Sequence, residues 1–376
     1  MSSFKKKTSK VTVSLPGGTK LSSYQSSLLL TSYGMNSLDS LLGGGIPIGT
    51  ITLLLSDRYT DYSNIALSYF LSSGIILNHK ICLISFDHEP QAIVNKLPGV
   101  YELPIVKEKV VKKEAKEDLT IAWRYKDLPN LKQKSEEDQD KDIKYCPTLD
   151  LTTHLNKEAI EKNVPILIDA TNDDIDFAAI FSKIEELISN EFSSKIEGIP
   201  LSSRRILRIA IYLIGSPLGC ITKFEDIYRF IYMVKGLLRY SFSVMMLSFP
   251  PYLFEEDQIL AIQSICDTAL EFKSFADREN KKASNEEYQG LFFIHKFPRL
   301  NSFTSLGLKF QQKSENNLGF KLKRKKLLIE TYHLPIEGGV SERRVEPKDN
   351  DKDQAGPRRI TSNKAPPPSK KDPLEF

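Results

Sequence analysis

Between residues 50 and 65 the chain carries the frame of a phosphate-binding loop without the residues that bind phosphate. The run Gly43-Gly-Gly-Ile-Pro-Ile-Gly49 supplies a glycine turn and then a Pro-x-Gly turn, and Thr50-Ile-Thr-Leu-Leu-Leu55 follows as a buried strand. In a working nucleotide loop the pattern G-x-x-x-x-G-K-[ST] comes next. Its glycines bare backbone N–H groups, and its lysine reaches the β- and γ-phosphates. Here the residues are Ser56-Asp-Arg-Tyr-Thr-Asp-Tyr-Ser63. Ser56 holds the first glycine position, Asp61 the second, Tyr62 the lysine position and Ser63 the hydroxyl position. A carboxylate and a phenol there repel or obstruct a polyphosphate, so no catalytic residue, cofactor or metal is expected.

Residues 32–42 read as a short amphipathic helix ahead of the glycine turn, and residues 64–74 as the helix that follows the loop. Residues 80–86 form the next apolar strand. Residues 206–214 and 243–249 are two more, separated by a helix over 224–238. Helical periodicity also runs through residues 173–192. This alternation predicts an α/β fold: a RecA-like core with a mostly parallel sheet flanked by helices. From Gly290 the pattern becomes that of a late β-hairpin, over 291–295 and 319–330.

The expected organisation is a flexible basic arm over 1–30 and a RecA-like domain lacking an intact phosphate loop over 31–335. A disordered tail is expected over 336–376. Residues 107–146 form a charged insertion of mixed sign, interrupted by the apolar-aromatic island Ile121-Ala-Trp-Arg-Tyr125. The arm carries Lys5, Lys6, Lys7 and Lys10 without the apolar stretch of a secretory signal. No apolar stretch is long enough to span a bilayer. Cys82, Cys146, Cys220 and Cys266 form no C-x-x-C pair, which argues against a zinc site and a disulfide framework. With 52 Lys and Arg against 48 Asp and Glu, any nucleic-acid role must come from local patches. An intracellular soluble protein is expected.

An ATPase of this kind ends a buried strand in Asp to hold Mg²⁺. Leu207-Arg-Ile-Ala-Ile-Tyr-Leu-Ile-Gly-Ser-Pro217 is the strand for that place, and Tyr212 stands where Asp belongs. Ile166-Leu-Ile-Asp169 also ends in Asp, but precedes a long helix. Asp87 and Glu89 follow the second strand, where an activating acid would sit; an exposed turn with an acid at a helix N-terminus explains them equally. Lys296 and Arg299 resemble a pair that reaches a neighbour's nucleotide in trans, the alternative being a solvated hairpin end. In Lys321-Leu-Lys-Arg-Lys-Lys326, strand alternation puts Lys321, Lys323 and Lys325 on one face with no local acid opposed. Such a face contacts RNA phosphates or merely protects a sheet edge.

Several phrases together resemble the PAXNEB family of Elongator subunits. They are Gly43-Gly-Gly-Ile-Pro-Ile-Gly49, Asp57-Arg-Tyr-Thr60, the island around Trp123, and Arg208-Ile-Ala-Ile-Tyr-Leu-Ile-Gly-Ser-Pro-Leu218. Asp267-Thr-Ala-Leu-Glu-Phe-Lys-Ser-Phe275, Lys296-Phe-Pro-Arg-Leu-Asn-Ser302 and Phe320-Lys-Leu-Lys-Arg-Lys-Lys-Leu complete the set. The resemblance implies a non-catalytic RecA-like subunit of a heterohexameric ring, built with the fifth and sixth Elongator subunits. That ring binds tRNA and supports carboxymethyl-type modification of wobble uridine 34 by the catalytic Elongator subcomplex, in the cytoplasm and nucleus. In such rings the loops 215–223 and 250–254 face the central hole. Lys223 would then meet phosphate and Tyr252 stack on an unpaired base, or pack on an adjacent subunit. A protein-only scaffold and a divergent RecA/KaiC-type ATPase are the competing readings. Asp61 and Tyr62 argue against the second.

Overall fold

The computed structural model describes residues 14–23, 28–101, 145–163, 166–171, 175–219, 223–277, 287–300 and 317–332. The tail 336–376 and the charged insertion, apart from Tyr145 and Cys146, lie outside the described residues, as do the island around Trp123 and the first 13 residues of the arm.

A nine-stranded sheet organises the molecule. Its six parallel members are β4 (Ile51–Leu55), β5 (Lys80–Ser85), β8 (Ile166–Asp169), β9 (Leu207–Tyr212), β10 (Ser243–Phe249) and β11 (Thr268–Ser274). They lie in the order β11-β4-β10-β9-β5-β8. Three antiparallel strands, β12 (Gly290–Lys296), β13 (Leu318–Leu322) and β14 (Leu327–Thr331), extend it beyond β11. The expected mostly parallel sheet with late antiparallel strands is the one observed. Between β5 and β8 the chain forms helix α3 (Pro90–Asn95), the antiparallel pair β6 (Pro98–Val100) and β7 (Leu149–His154), and helix α4 (Lys157–Asn163).

Both faces of the parallel part are covered, which is why these strands read as unbroken apolar runs rather than alternating ones. Leu54, Ala210, Met246 and Leu270 pack on one side with α2 (Tyr62–Ile76) through Leu67, Phe70 and Leu71. Leu53, Leu55, Ile209, Ile211, Met245 and Leu247 pack on the other. There they meet Phe177, Ile180 and Ile184 of α5 (Phe177–Leu187) and Phe230, Ile231 and Val234 of α6 (Phe224–Leu238). Helix α7 (Glu256–Ile265) then carries the chain from β10 across β4 to β11. Strand β4 is therefore the switch point of the sheet. Its own helix α2 leads to one side and α7 to the other, and the crevice beyond its carboxyl end is where such sheets bind ligands.

A smaller antiparallel sheet joins β1 (Thr19–Leu21), β2 (Leu29–Thr31) and β3 (Ile46–Pro47). Strand β1 falls inside the stretch expected as a flexible arm. Helix α1 (Asn36–Leu41) connects β2 to the glycine turn. That turn needs glycine: Gly45 has φ +139°, and a Cβ on it would stand 2.4 Å from the Thr31 carbonyl oxygen.

Arg208, fully buried near the start of β9, ties this sheet to the core. Its guanidinium donates to Thr31 Oγ1 (2.9 Å), to the Phe70 carbonyl (2.7 Å) and to His79 Nδ1 (3.0 Å). His79 must then be neutral with its proton on Nε2, which donates to the Gly17 carbonyl at 2.9 Å. Burial and the guanidinium hold its pKa down to about 3. Asp39 of α1 is the nearby buried carboxylate, accepting from Ser32 Oγ (2.5 Å) and the Tyr33 N–H (2.8 Å).

The basic run is where the structure corrects the sequence reading. Only Lys321 and Leu322 belong to a strand; Lys323, Arg324, Lys325 and Lys326 form the turn between β13 and β14. Lys323 and Lys326 close it with reciprocal backbone hydrogen bonds of 2.9 and 3.2 Å. The three lysines therefore do not share one strand face, and two of them, Lys321 and Lys325, have acids opposed. Lys321 pairs with Glu287 at 2.8 Å and Glu330 at 2.5 Å, and Lys325 with Asp150 at 3.3 Å.

Candidate functional site

The loop between β4 and α2 follows the frame of a phosphate loop but bonds to itself. Ser56 N–H donates to the Phe249 carbonyl at 2.9 Å, which fixes the loop's start on the neighbouring strand β10. Ser63 Oγ donates to Ser56 Oγ (2.9 Å), so the retained hydroxyl is already occupied. Thr60 Oγ1 donates to Asp57 Oδ2 (2.8 Å) and Asn64 Nδ2 to Asp61 Oδ1 (3.1 Å). No residue from Ser56 to Ser63 has a positive φ, and no glycine is present to let a phosphate approach the backbone. Tyr62, at the lysine position, turns its ring away from the loop and onto Phe320 of β13, 4.6 Å between centroids. Partial burial raises its hydroxyl's pKa. All four degenerate positions are thus engaged within the chain: Ser56 with Ser63, Asp61 with Asn64, and Tyr62 with Phe320.

Beside the loop, two connected hollows run along the carboxyl ends of β4, β9 and β10. One, of 250 Å³, is lined by residues 56–61 with Leu213 and Tyr252. The other, of 440 Å³, shares Asp61, Leu213 and Tyr252 and adds Asp87, Ser216 and Leu218. Asp87, which follows β5, accepts from Ser216 Oγ at 3.0 Å and pairs with His88. It is therefore built into the wall rather than left on an open turn. Glu89 is exposed ahead of α3 and makes no side-chain cap. Tyr212 ends β9 where a magnesium-binding acid would stand, and its ring packs edge-on against His88, 5.6 Å between centroids. Tyr212 is 8 % exposed, and burial, aided by the charges of Asp61 and Asp87, raises its pKa. Leu213 next to it is left-handed, φ +50°, held by its N–H donating to Ser248 Oγ at 2.8 Å. Such strain in a non-glycine residue marks a position that surrounding contacts over-determine.

The electrostatics of this cleft suit cations. Burial, and after it the charges of Asp87, Asp61 and Asp57 against that of Arg58, raise the pKa of Tyr252. A base stacked on Tyr252 would bring its phosphate toward those carboxylates. Among the described residues no three His, Cys, Asp or Glu side chains converge as metal ligands.

The remaining candidates lie apart. Lys223 is exposed at the N-terminus of α6. Lys296 sits at the far end of β12, where β4 and β11 begin. Its ammonium donates to the carbonyls of Gln263 (3.3 Å), Ser264 (2.6 Å) and Cys266 (2.6 Å), capping α7. Within the chain all three of its donors are taken, and Arg299 is the exposed member of the pair. Asp169 ends the edge strand β8 and accepts from the N–H (3.0 Å) and hydroxyl (2.6 Å) of Thr171. Asp267, which sequence reasoning did not single out, accepts from the Ile51 N–H at 3.0 Å and pairs with Arg239 at 2.5 Å and Lys235 at 3.4 Å. An acid directly before a buried strand was its only sequence signal.

The PAXNEB protein family model matches residues 11–376. The chain is similar to Elongator complex protein 4 of Danio rerio, 29% identical over 377 residues, with 92% of this chain and 91% of that protein covered. It is 30% identical to the protein of that name from Dictyostelium discoideum, covering 93% and 84%. The Homo sapiens protein of that name is 31% identical, covering 82% and 77%. Among the described residues no helix is long and apolar enough to cross a membrane.

Proposed function

This chain belongs to the PAXNEB family, and from that premise we propose that it is a non-catalytic RecA-like subunit of an Elongator complex. In this reading it packs into a heterohexameric ring with the fifth and sixth Elongator subunits. The ring binds tRNA and supports carboxymethyl-type modification of the wobble uridine by the catalytic subcomplex, in the cytoplasm and nucleus.

The observation that carries the reading is the loop of residues 56–63. The sheet that would hold a nucleotide is intact, yet Asp61 puts a carboxylate at the glycine position, Tyr62 at the lysine position packs on Phe320 instead, and Ser63 is hydrogen-bonded to Ser56. A family that keeps the frame and drops the chemistry uses the fold for assembly. Phosphate contacts then come from exposed cations outside the cleft: the turn of Lys323, Arg324, Lys325 and Lys326, and Lys223.

Purification of the endogenous assembly tests the proposal. Two further RecA-like chains should co-purify in a six-chain particle, and filter binding with tRNA should saturate. Loss of this chain should lower wobble-uridine carboxymethylation. An intact assembly that retains no tRNA would favour the protein-only scaffold and overturn the RNA part.

A further inference from the structure

A hollow of 510 Å³, apart from the cleft, opens where helix α1, the start of β14 and the chain from Tyr145 to Leu149 meet. That volume is enough to enclose a large side chain with its neighbours. The floor is apolar and buried: Met35, Tyr69, Leu149 and Leu327 are each 3% exposed, and Tyr145 is 9%. Among the described residues of the lining, Lys20 and Lys326 are the charged ones, and Ser37, Ser40 and Thr148 supply hydroxyls. Both ends of the charged insertion come to this place. Tyr101 N–H donates to the Thr148 carbonyl at 2.9 Å. Tyr145, on the other side of the insertion, is pinned in the wall. Its hydroxyl donates to the Gly44 carbonyl at 2.7 Å, and the Lys20 ammonium covers its ring, 3.9 Å from the centroid.

Between these two ends the sequence carries a stretch that matches the hollow. Residues 117–127 have a period of two. Glu117, Leu119, Ile121, Trp123, Tyr125 and Asp127 take one set of alternate positions, so four apolar residues are bracketed by acids. The cations of the stretch, Arg124 and Lys126, fall in the other set. Apolar residues with an acid at each side complement an apolar floor flanked by two lysines. The hydroxyls of the wall suit an indole N–H, which needs an acceptor when buried. Ile121 lies 20 residues after Tyr101, and Tyr125 lies 20 residues before Tyr145. Twenty residues reach up to about 70 Å, so neither connection keeps the island from the hollow.

We propose that the Ile121-Ala-Trp-Arg-Tyr125 island docks in this hollow of its own chain, with the Trp123 indole on the floor of Met35, Tyr69 and Leu327 and the bracketing acids toward Lys20 and Lys326. A segment tied to the hollow at both ends meets it at an effective concentration on the order of millimolar, which a separate protein chain does not match. An RNA phosphate would meet the two lysines but gain nothing from the apolar floor. The contact lies within one chain and does not depend on the ring reading. It gives the island, which neither the degenerate loop nor the exposed cations use, a place in the fold.

Trp123 is the one tryptophan of the sequence, so the intrinsic fluorescence of the full-length chain reads this site alone. The native chain should emit at shorter wavelength than the urea-unfolded chain and resist quenching by iodide. Asn36→Phe fills the mouth of the hollow from an exposed position of α1. It should shift the emission and the quenching toward the values of the unfolded chain. Trp123→Ala should raise the unfolding equilibrium constant about ten-fold or more, whereas loss of a surface side chain changes it by about two-fold or less. A photo-cross-linking residue at Ser40, placed in the full chain within its assembly, should capture the peptide of the same chain that holds Trp123. Native emission and quenching equal to those of the unfolded chain overturn the proposal. A buried Trp123 that Asn36→Phe leaves unchanged also overturns it, because the island then docks elsewhere. A Ser40 cross-link to another chain or to RNA assigns the hollow to that partner and overturns it as well.

Discussion

At the scale of single residues, the chemistry follows from what burial does to each side chain. Asp39 is the sharpest case. Burial outweighs its two hydrogen bonds and holds its pKa up at about 6, against 3.8 for a free side chain. A carboxyl that binds its proton more tightly when folded favours the folded state most at low pH. That contribution is complete below about pH 4 and is lost as pH rises through 6. The stability of the wild type relative to Asp39→Asn should therefore fall by up to about 3 kcal/mol between those limits, measured by urea unfolding across the pH range. A flat difference would show that Lys20 and Arg208 already offset the charge. Tyr62 makes the converse point about the loop. Tyr62→Lys restores the missing lysine but removes the ring's packing on Phe320, so it should cost about 1–2 kcal/mol and still bind no ATP by calorimetry. Asp61 and the glycine-free backbone remain. The loop's failure was legible from sequence because it consists of residues that are absent. Arg208 gave a partial signal, a charge inside the apolar run of residues 206–214. Its partners Thr31, Phe70 and His79 come from distant segments, so only the fold reveals how that charge is satisfied.

At the scale of elements, periodicity located four of the six parallel strands, β4, β5, β9 and β10, because each is a long apolar run. Strand β8 was seen only as a short apolar run ending in Asp. Strand β11, where Glu271 and Lys273 interrupt the apolar residues, was not read as a strand, nor was α7 read as a helix. Periodicity also failed over residues 319–330. The tip of that hairpin is Lys323-Arg-Lys-Lys326, which contains none of the Gly, Pro, Asn or Asp that ordinarily mark a turn. The turn is imposed from outside instead. Phe320 pairs with Ile329 in register, Leu327 N–H donates to Tyr69 Oη of α2 at 3.1 Å, and Leu151 N–H donates to the Lys325 carbonyl at 2.9 Å. The correction changes which cations are available to RNA. Lys321 is held between two glutamates and Lys325 leans on Asp150 and the Tyr101 ring, whereas Lys323, Arg324 and Lys326 are exposed. Reversing Lys323, Arg324 and Lys326 to Glu should weaken tRNA binding by the assembled ring for all tRNAs alike, because phosphate contacts carry no sequence information. The log–log salt slope should drop by about 0.9 for each duplex phosphate that the variant no longer neutralises. Lys321→Glu should mainly destabilise the hairpin. Equal affinities and slopes for wild type and triple variant would assign the turn to solvent.

At the scale of the whole molecule, seven of the exposed large apolar residues gather in two sets on different elements, while Leu21, Tyr59, Val100 and Ile199 lie outside both. Leu218, Tyr252 and Leu253 surround the cleft at the carboxyl ends of the sheet. Tyr232 and Met233 lie on the outer face of α6, with Tyr240 just beyond it and Leu260 on the adjoining α7. A ring made by head-to-tail contacts requires two unlike faces on each subunit, one for each neighbour. A lone surface tyrosine needs no explanation, but Tyr232 at 64% exposure on α6 and Tyr240 at 67% just past its end, with Met233 between them in the chain, make one exposed apolar set. Tyrosine is among the residue types that dominate interface energetics once desolvated. Replacing Tyr232 and Tyr240 together with Lys should therefore weaken the assembly by about 2 kcal/mol or more, without lowering the melting temperature of the isolated chain, since neither side chain is buried in it. Native mass spectrometry of the endogenous particle reads this directly. The wild-type chain should be found chiefly in a multi-chain species, with the variant shifting population toward smaller ones. If the wild type ran chiefly at 42.7 kDa, these two surfaces would have no partner, and the fold would have to act alone.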